Sequence, residues 1–167
     1  MHGKKMDSRR GFSLIELIIV IAIIGIMATI SAYAYQSYVN NTNLRTAARD
    51  MVSDFQNCKG KAISESRDYQ ISFTTGTNSS YTISASATTN HAAVSTTKSP
   101  TAFGNGIQII FEDTCNGFFG TSAANIIRFQ ARGTSANGCV KLTNTRGSKA
   151  TITTNVTGRT HVAFAIQ

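Results

Sequence analysis

Acidic residues are scarce in this chain of 167 residues, eight against sixteen Lys and Arg. Where they are missing matters more than how few there are. From Thr114 to Gln167 there is no Asp or Glu, yet Arg128, Arg132, Lys141, Arg146, Lys149 and Arg159 all fall there. Such a balance favours acidic partners such as nucleic acid or anionic surfaces, and it is also what an ordinary soluble face carries. Cysteines number three, so they cannot all pair within one chain. They lie far apart, and His2, His91 and His161 are scattered, which leaves no zinc-site spacing. Enzyme signatures are missing too. Gly133 to Gly138 is one residue too long for a nucleophile elbow, and no Gly-Lys-Ser/Thr phosphate loop occurs. Glu112 and Asp113 form a carboxylate pair, but adjacent residues of a strand point to opposite faces, so a shared acid/base site is not expected. Neither catalysis nor a cofactor is expected.

What is present begins with Arg9-Arg10-Gly11-Phe12-Ser13-Leu14-Ile15-Glu16-Leu17, which opens a long apolar run. Between Phe12 and Tyr35 the only charge is Glu16. As a helix this run reaches about 36 Å, enough to cross a bilayer core of about 30 Å. Lys4, Lys5, Arg9 and Arg10 precede it, so the positive-inside rule leaves the short N-terminus in the cytoplasm. A secretory signal could use Ala32-Tyr33-Ala34 as its cleavage site, but the core from Leu14 to Ile30 exceeds the usual length and carries an acid. A plain anchor gives no reason for Glu16, whose burial in hydrocarbon costs about 2.5 kcal/mol or more without a partner.

Beyond the polar exit at Asn40 to Asn43, small or apolar residues recur at Leu44, Ala48, Met51, Phe55, Cys58 and Ala62. Steps of four and three mark one buried helical stripe, off which Arg45, Arg49, Asp50, Asp54, Lys59 and Lys61 fall. Cys58 on that stripe reads as a small buried core residue. Helix character fades near Ser66-Arg67-Asp68. Strands are then expected at 69–73, 81–83, 107–111, 125–129, 138–143, 150–156 and 160–166, with glycines punctuating them. The stretch 74–106, rich in Ser, Thr, Asn and Ala and holding the only proline, Pro100, reads as a variable, partly flexible excursion. A long helix followed by an antiparallel sheet is an α+β domain.

Residues 9–17 resemble the type III signal of type IV pilins and of the pseudopilins of type II secretion. That resemblance implies cleavage between Gly11 and Phe12 by a prepilin peptidase, methylation of Phe12, and a docking role for Glu16 between subunits. The implied divisions are a leader at 1–11, a transmembrane and assembly helix at 12–38, and a pilin-like periplasmic head at 39–167. Ala47 to Phe55, Lys61 to Asp68, Ile127-Arg128-Phe129 with Arg132-Gly133, and Gly158-Arg159-Thr160-His161-Val162 resemble the GspH/FimT family of minor pilins and pseudopilins. The chain departs from the pattern in two places. Many pilins have a helix-bending proline where Tyr33 stands, and some FimT-like proteins bind DNA through a Gly-Arg-x-Arg loop whose second arginine is here His161. With the head outside the cytoplasmic membrane a disulfide is permitted, and Cys115 with Cys139 is the expected pair, contributing about 3 kcal/mol on the chain-entropy model. The expected role is a minor pilin of a type IV pilus, in the bacterial inner membrane and the filament, with other pilins as partners. Double-stranded DNA is a candidate ligand of Arg128, Arg132, Lys141, Arg146, Lys149, Arg159 and His161. The alternative is a minor pseudopilin of a type II secretion system, acting in protein export.

Overall fold

The computed structural model describes residues 12–110 and 125–167, with the backbone alone at 32–34. Gly11 and the leader, Glu112, Asp113 and Cys115 lie outside the described residues. One helix, α1, runs from Leu14 to Ser64, and it continues unbroken through Tyr33, where no proline removes a backbone donor. The chain divides into two units, Met1–Ser37 and Tyr38–Gln167.

The first unit is the opening part of α1. Its apolar side chains point outward, with Leu14, Ile26 and Ile30 at 75%, 64% and 70% exposure. An 18-residue window here has a mean hydropathy of 2.7, and none of its residues is buried. By length and composition this stretch can cross a bilayer.

The second unit owns the core. Leu44, Ala48, Met51, Phe55, Cys58 and Ala62 are all buried, as their spacing predicts, and Ala47 joins them. Two antiparallel four-stranded sheets take up that stripe. The first has the order β3-β2-β1-β5, from Tyr69–Thr74 (β1), Ser80–Ala85 (β2), Val94–Lys98 (β3) and Ile126–Phe129 (β5). The second has the order β4-β6-β7-β8, from Gln108–Ile110 (β4), Gly138–Thr143 (β6), Lys149–Thr154 (β7) and Thr160–Ala165 (β8). Phe55 sits 6.1 Å from the ring centroids of both Phe73 and Phe129, so one helical side chain is wedged into the face of the first sheet. Ile109, Val140, Leu142, Ala150 and Ile152 supply the buried face of the second.

Helix α1 stops in a Schellman turn. Arg67 N–H donates to the Ala62 carbonyl at 3.2 Å and Ser66 N–H to Ile63 at 3.4 Å, with Ser66 itself left-handed at φ 49°. Serine holds a place that glycine usually takes, and the corner is fixed by side chains. The Arg67 guanidinium donates to Glu65 Oε2, to the carbonyls of Ser86 and Ala92, and to Tyr69 Oη.

Two sequence expectations need correction. The excursion 74–106 contains β3 and a short 3-10 turn at Pro100–Phe103 as well as β2. β3 has the sequence Val-Ser-Thr-Thr-Lys, and its three central residues are exposed. It holds its place through backbone pairing with β2 and through contact between the Thr82 and Thr97 hydroxyls at 2.9 Å. It therefore carries no apolar alternation to read. Asp54, expected off the buried stripe, is only 7% exposed. Lys98 Nζ reaches both its oxygens at 2.8 Å and Tyr81 Oη donates at 2.7 Å, so partners from β2 and β3 close over the carboxylate.

Candidate functional site

Two surfaces carry the chemistry. The first is the start of α1. Phe12 is 83% exposed, and Glu16 lies exposed in the first helical turn, where the helix dipole favours a carboxylate. An acid at this end of an otherwise apolar cylinder is suited to an amine brought by a neighbouring chain.

The second surface is the basic one, and the tertiary structure divides it. Arg128 is exposed on β5, in the first sheet, while Lys141 and Lys149 lie on β6 and β7 of the second. Lys141 is 8% exposed. Lys141, Arg146 and Lys149 are each already engaged within the protein. Their placement leaves them poorly suited to a shared polyanion track with Arg128. His161 is exposed on β8.

Arg132 is exposed beside the first of two glycine turns that meet, and Arg159 follows the second. Gly133 (φ 80°) and Gly158 (φ 67°) both adopt the left-handed conformation. A β-carbon on Gly158 would stand 2.7 Å from the Gly133 carbonyl oxygen, and one on Gly133 would stand 2.9 Å from Ile63 Cδ1. Lys59 Nζ donates to the Thr157 carbonyl at 2.8 Å, pinning the second turn to α1. A groove of about 660 Å³ opens between α1 and the second turn, lined in part by Gln56, Lys59, Ile63 and Arg159. Lys59 is the member that the sequence reading did not select. Its signal was a helical position off the apolar stripe, which by itself says nothing of which loop lies opposite. Asp68 tempers the charge here, since its Oδ1 accepts from Ala131 N–H at 3.1 Å.

Arg146 sits at the other end of the second sheet, in the turn joining β6 to β7. Asn144 of that turn donates to Asn41 Oδ1 at 3.0 Å. Asn41 and Lys59 are separated by about 27 Å along the helix.

The remaining ionisable clusters hold the fold together. A hydrogen bond from Tyr69 Oη, followed by those from Arg67, keeps the Glu65 carboxyl below its ordinary value. Hydrogen bonding to Asp54 raises the Lys98 ammonium above its own. Burial, with Asp54 nearby, pushes the Cys58 thiol up to about 12, so Cys58 is a packing residue rather than a nucleophile. Cys58 is free, and Cys139 is disulfide-bonded. Among the described residues no three His, Cys, Asp or Glu side chains converge as metal ligands.

Comparison with known proteins accords with this geometry. Residues 6–32 match the prokaryotic N-terminal methylation motif. The chain is 33% identical over 106 residues to fimbrial protein EcpC of Eikenella corrodens, covering 60% of this chain and 69% of that protein. It is 37% identical over 82 residues to a fimbrial protein of Pseudomonas aeruginosa, covering 43% of this chain and 53% of that one. The chain thus spans about half the length of the latter relative. In fold it is similar to the minor pseudopilin EpsH from the type 2 secretion system of Vibrio cholerae, with a TM-score of 0.55, 12% identity, and coverage of 73% of this chain and 97% of that structure. A long exposed apolar helix with one acid in its first turn, carrying a two-sheet head, defines a subunit of the pilin type. The chain belongs to the type IV pilin-like family of fimbrial proteins.

Proposed function

We propose that this chain is a minor pilin of a type IV pilus that helps to initiate or assemble the filament. Residues 12–38 would hold it in the inner membrane with the head, 39–167, in the periplasm. A prepilin peptidase would release residues 1–11 and leave an N-methylated Phe12. The observation that carries this reading is the first part of α1. Its apolar side chains are left uncovered, and its one charge, Glu16, is exposed in the first helical turn. Lipid covers such a surface before assembly, and neighbouring helices cover it afterwards. The test is a deletion strain complemented with the wild-type chain or with Glu16→Ala. Twitching, transformation and secretion are scored together with subunit content in sheared filaments. Wild-type levels of incorporation by Glu16→Ala would remove the assembly role. A defect confined to secretion would move the chain to the pseudopilin reading, for which the likeness to EpsH supports only the fold.

DNA capture during uptake is the second reading, and the presence of Lys59 and Arg159 on one groove supports it. Lysine and arginine neutralise phosphates regardless of sequence, each contributing about −0.9 to the slope of log affinity against log salt. Full-length protein in detergent, titrated with duplex DNA, should bind weakly and lose binding steeply with salt. Arg159→Ala should flatten the slope by about one. No binding at low salt ends this reading and leaves the filament role standing.

A further inference from the structure

The outward face of the first sheet is built from small polar groups. Strand alternation turns Tyr69, Ile71 and Phe73 of β1 into the core and leaves Gln70, Ser72 and Thr74 on the other side. The register places Gln70 between Ser84 of β2 and Arg128 of β5, and sets Ser84 beside Ser95 of the edge strand β3. A second row runs through Ser72, Thr82 and Thr97, with the two threonine hydroxyls 2.9 Å apart. Neighbours within a row are separated by the strand spacing of about 4.8 Å. Arg128 is the only ionisable residue in either row.

At its Arg128 end the first row opens into a pocket of about 380 Å³, to which Asp68, Gln70, Ser84, Ser86 and Arg128 contribute over the buried Tyr69 and Ala85. Among the described residues no hydrogen bond or ion pair engages the side chains of Gln70, Ser84, Ser86 or Arg128. Gln70 and Ser84 are half-buried, so their polar atoms have lost part of their water without gaining a partner. Asp68 accepts from Ala131 N–H through Oδ1 and keeps Oδ2 open. Arg128 can only donate, Asp68 can only accept, and Gln70, Ser84 and Ser86 do both. A sugar hydroxyl also does both, and two on adjacent carbons can meet a carboxylate or a guanidinium together. A polyanion would find a single cation here with a carboxylate beside it. An apolar ligand would find no exposed apolar side chain in the lining.

We propose that this pocket binds a neutral glycan, and that the hydroxyl rows leading from it over β2 and β3 take further sugar units. Hydroxyls of the bound sugar donate to Asp68, accept from Arg128, and do both with Gln70 and the two serines. The pocket's volume falls within the range of small-molecule sites. Beyond it both rows carry hydrogen-bonding groups and no further charge, which suits an extended uncharged ligand rather than a small zwitterion bridging Asp68 and Arg128. The inference goes beyond the filament role and does not depend on it.

The test uses the full chain in a detergent without a sugar headgroup. Ligand-observed NMR follows titration with hexasaccharides of glucose, mannose, galactose and N-acetylglucosamine, and with alanylalanine as a zwitterion. At least one hexasaccharide should bind, with the same affinity in low and high salt because it carries no charge. Arg128→Gln should weaken that binding about tenfold or more, and Gln70→Ala about two- to tenfold, both with unchanged far-UV circular dichroism. Arg49→Gln, exposed on α1, should leave it as in wild type. Absence of binding across the four sugars overturns the inference. Wild-type affinity in both Arg128→Gln and Gln70→Ala also overturns it, and places the glycan elsewhere. Binding of alanylalanine in place of the sugars overturns it too, and assigns the pocket to a zwitterion.

Discussion

Gly158→Ala isolates the contact between the two glycine turns beside the Lys59–Arg159 groove. The substitution has two separable costs. At φ 67° a β-carbon strains the backbone, by about 1–2 kcal/mol. That same carbon would also stand 2.7 Å from the Gly133 carbonyl oxygen and 3.0 Å from Lys59 Cδ. The lysine stem can shift, but the carbonyl belongs to a turn closed by Gly133 N–H on the Gln130 carbonyl at 2.8 Å. The two turns must then part, which strains or breaks the bond from Ser135 N–H to the Val156 carbonyl at 3.0 Å, worth about 0.5–1.5 kcal/mol. The expected loss is about 1.5–3.5 kcal/mol. Gly76→Ala is the control, because Gly76 has φ 102° and open space around its missing β-carbon. It should lose the backbone part only. Urea unfolding of both variants, followed by far-UV circular dichroism at unchanged m-value, gives the difference. Equal losses would refute the argument that the turns touch. So would full retention of DNA affinity by Gly158→Ala alongside its loss in Arg159→Ala.

Phe55→Ala should destabilise the head by about 3–5 kcal/mol, because it empties the site between Phe73 and Phe129, whereas Phe55→Leu should lose clearly less; thermal unfolding ranks the two. Thiol counting should find no reactive cysteine in the native chain, since burial holds Cys58 near 12, and one in denaturant without reductant. Two more should appear on reduction if Cys115 is the partner of Cys139, and three without reductant would exclude a bridge. The Glu65 carboxyl is held below its ordinary value in the folded state by Tyr69 and Arg67. Its contribution to stability is therefore present above pH of about 4.5 and is lost as pH falls through the depressed value. An acid titration of Glu65→Gln should show a shallower acid limb than wild type, and identical limbs would assign acid lability elsewhere.

The sequence by itself determined the parts whose physics is one-dimensional. A helix long enough for a bilayer, one acid at its start, and the four-and-three stripe from Leu44 to Ala62 are periodic along a single rod, so spacing alone places them. β1 and the strands from β4 onward are legible to within a residue or two because buried apolar residues alternate along most of them. β3 was not legible, since an edge strand held by backbone pairing and hydroxyl contacts, with Val94 its one apolar residue against the core, shows no alternation. Ser66 at the end of α1 was likewise unreadable as a left-handed stop, because its neighbours Glu65, Arg67 and Tyr69 supply the constraint that glycine usually provides. Only the tertiary structure decided which cations share a surface. Along the chain the acid-free half reads as one basic region. Folding sends Arg128 to one sheet and Arg146 to the turn beside Asn41, and it brings Arg159 to Lys59. Charge acts through space over several ångströms, and the spacing of residues in sequence carries no record of which turns a helix will hold together.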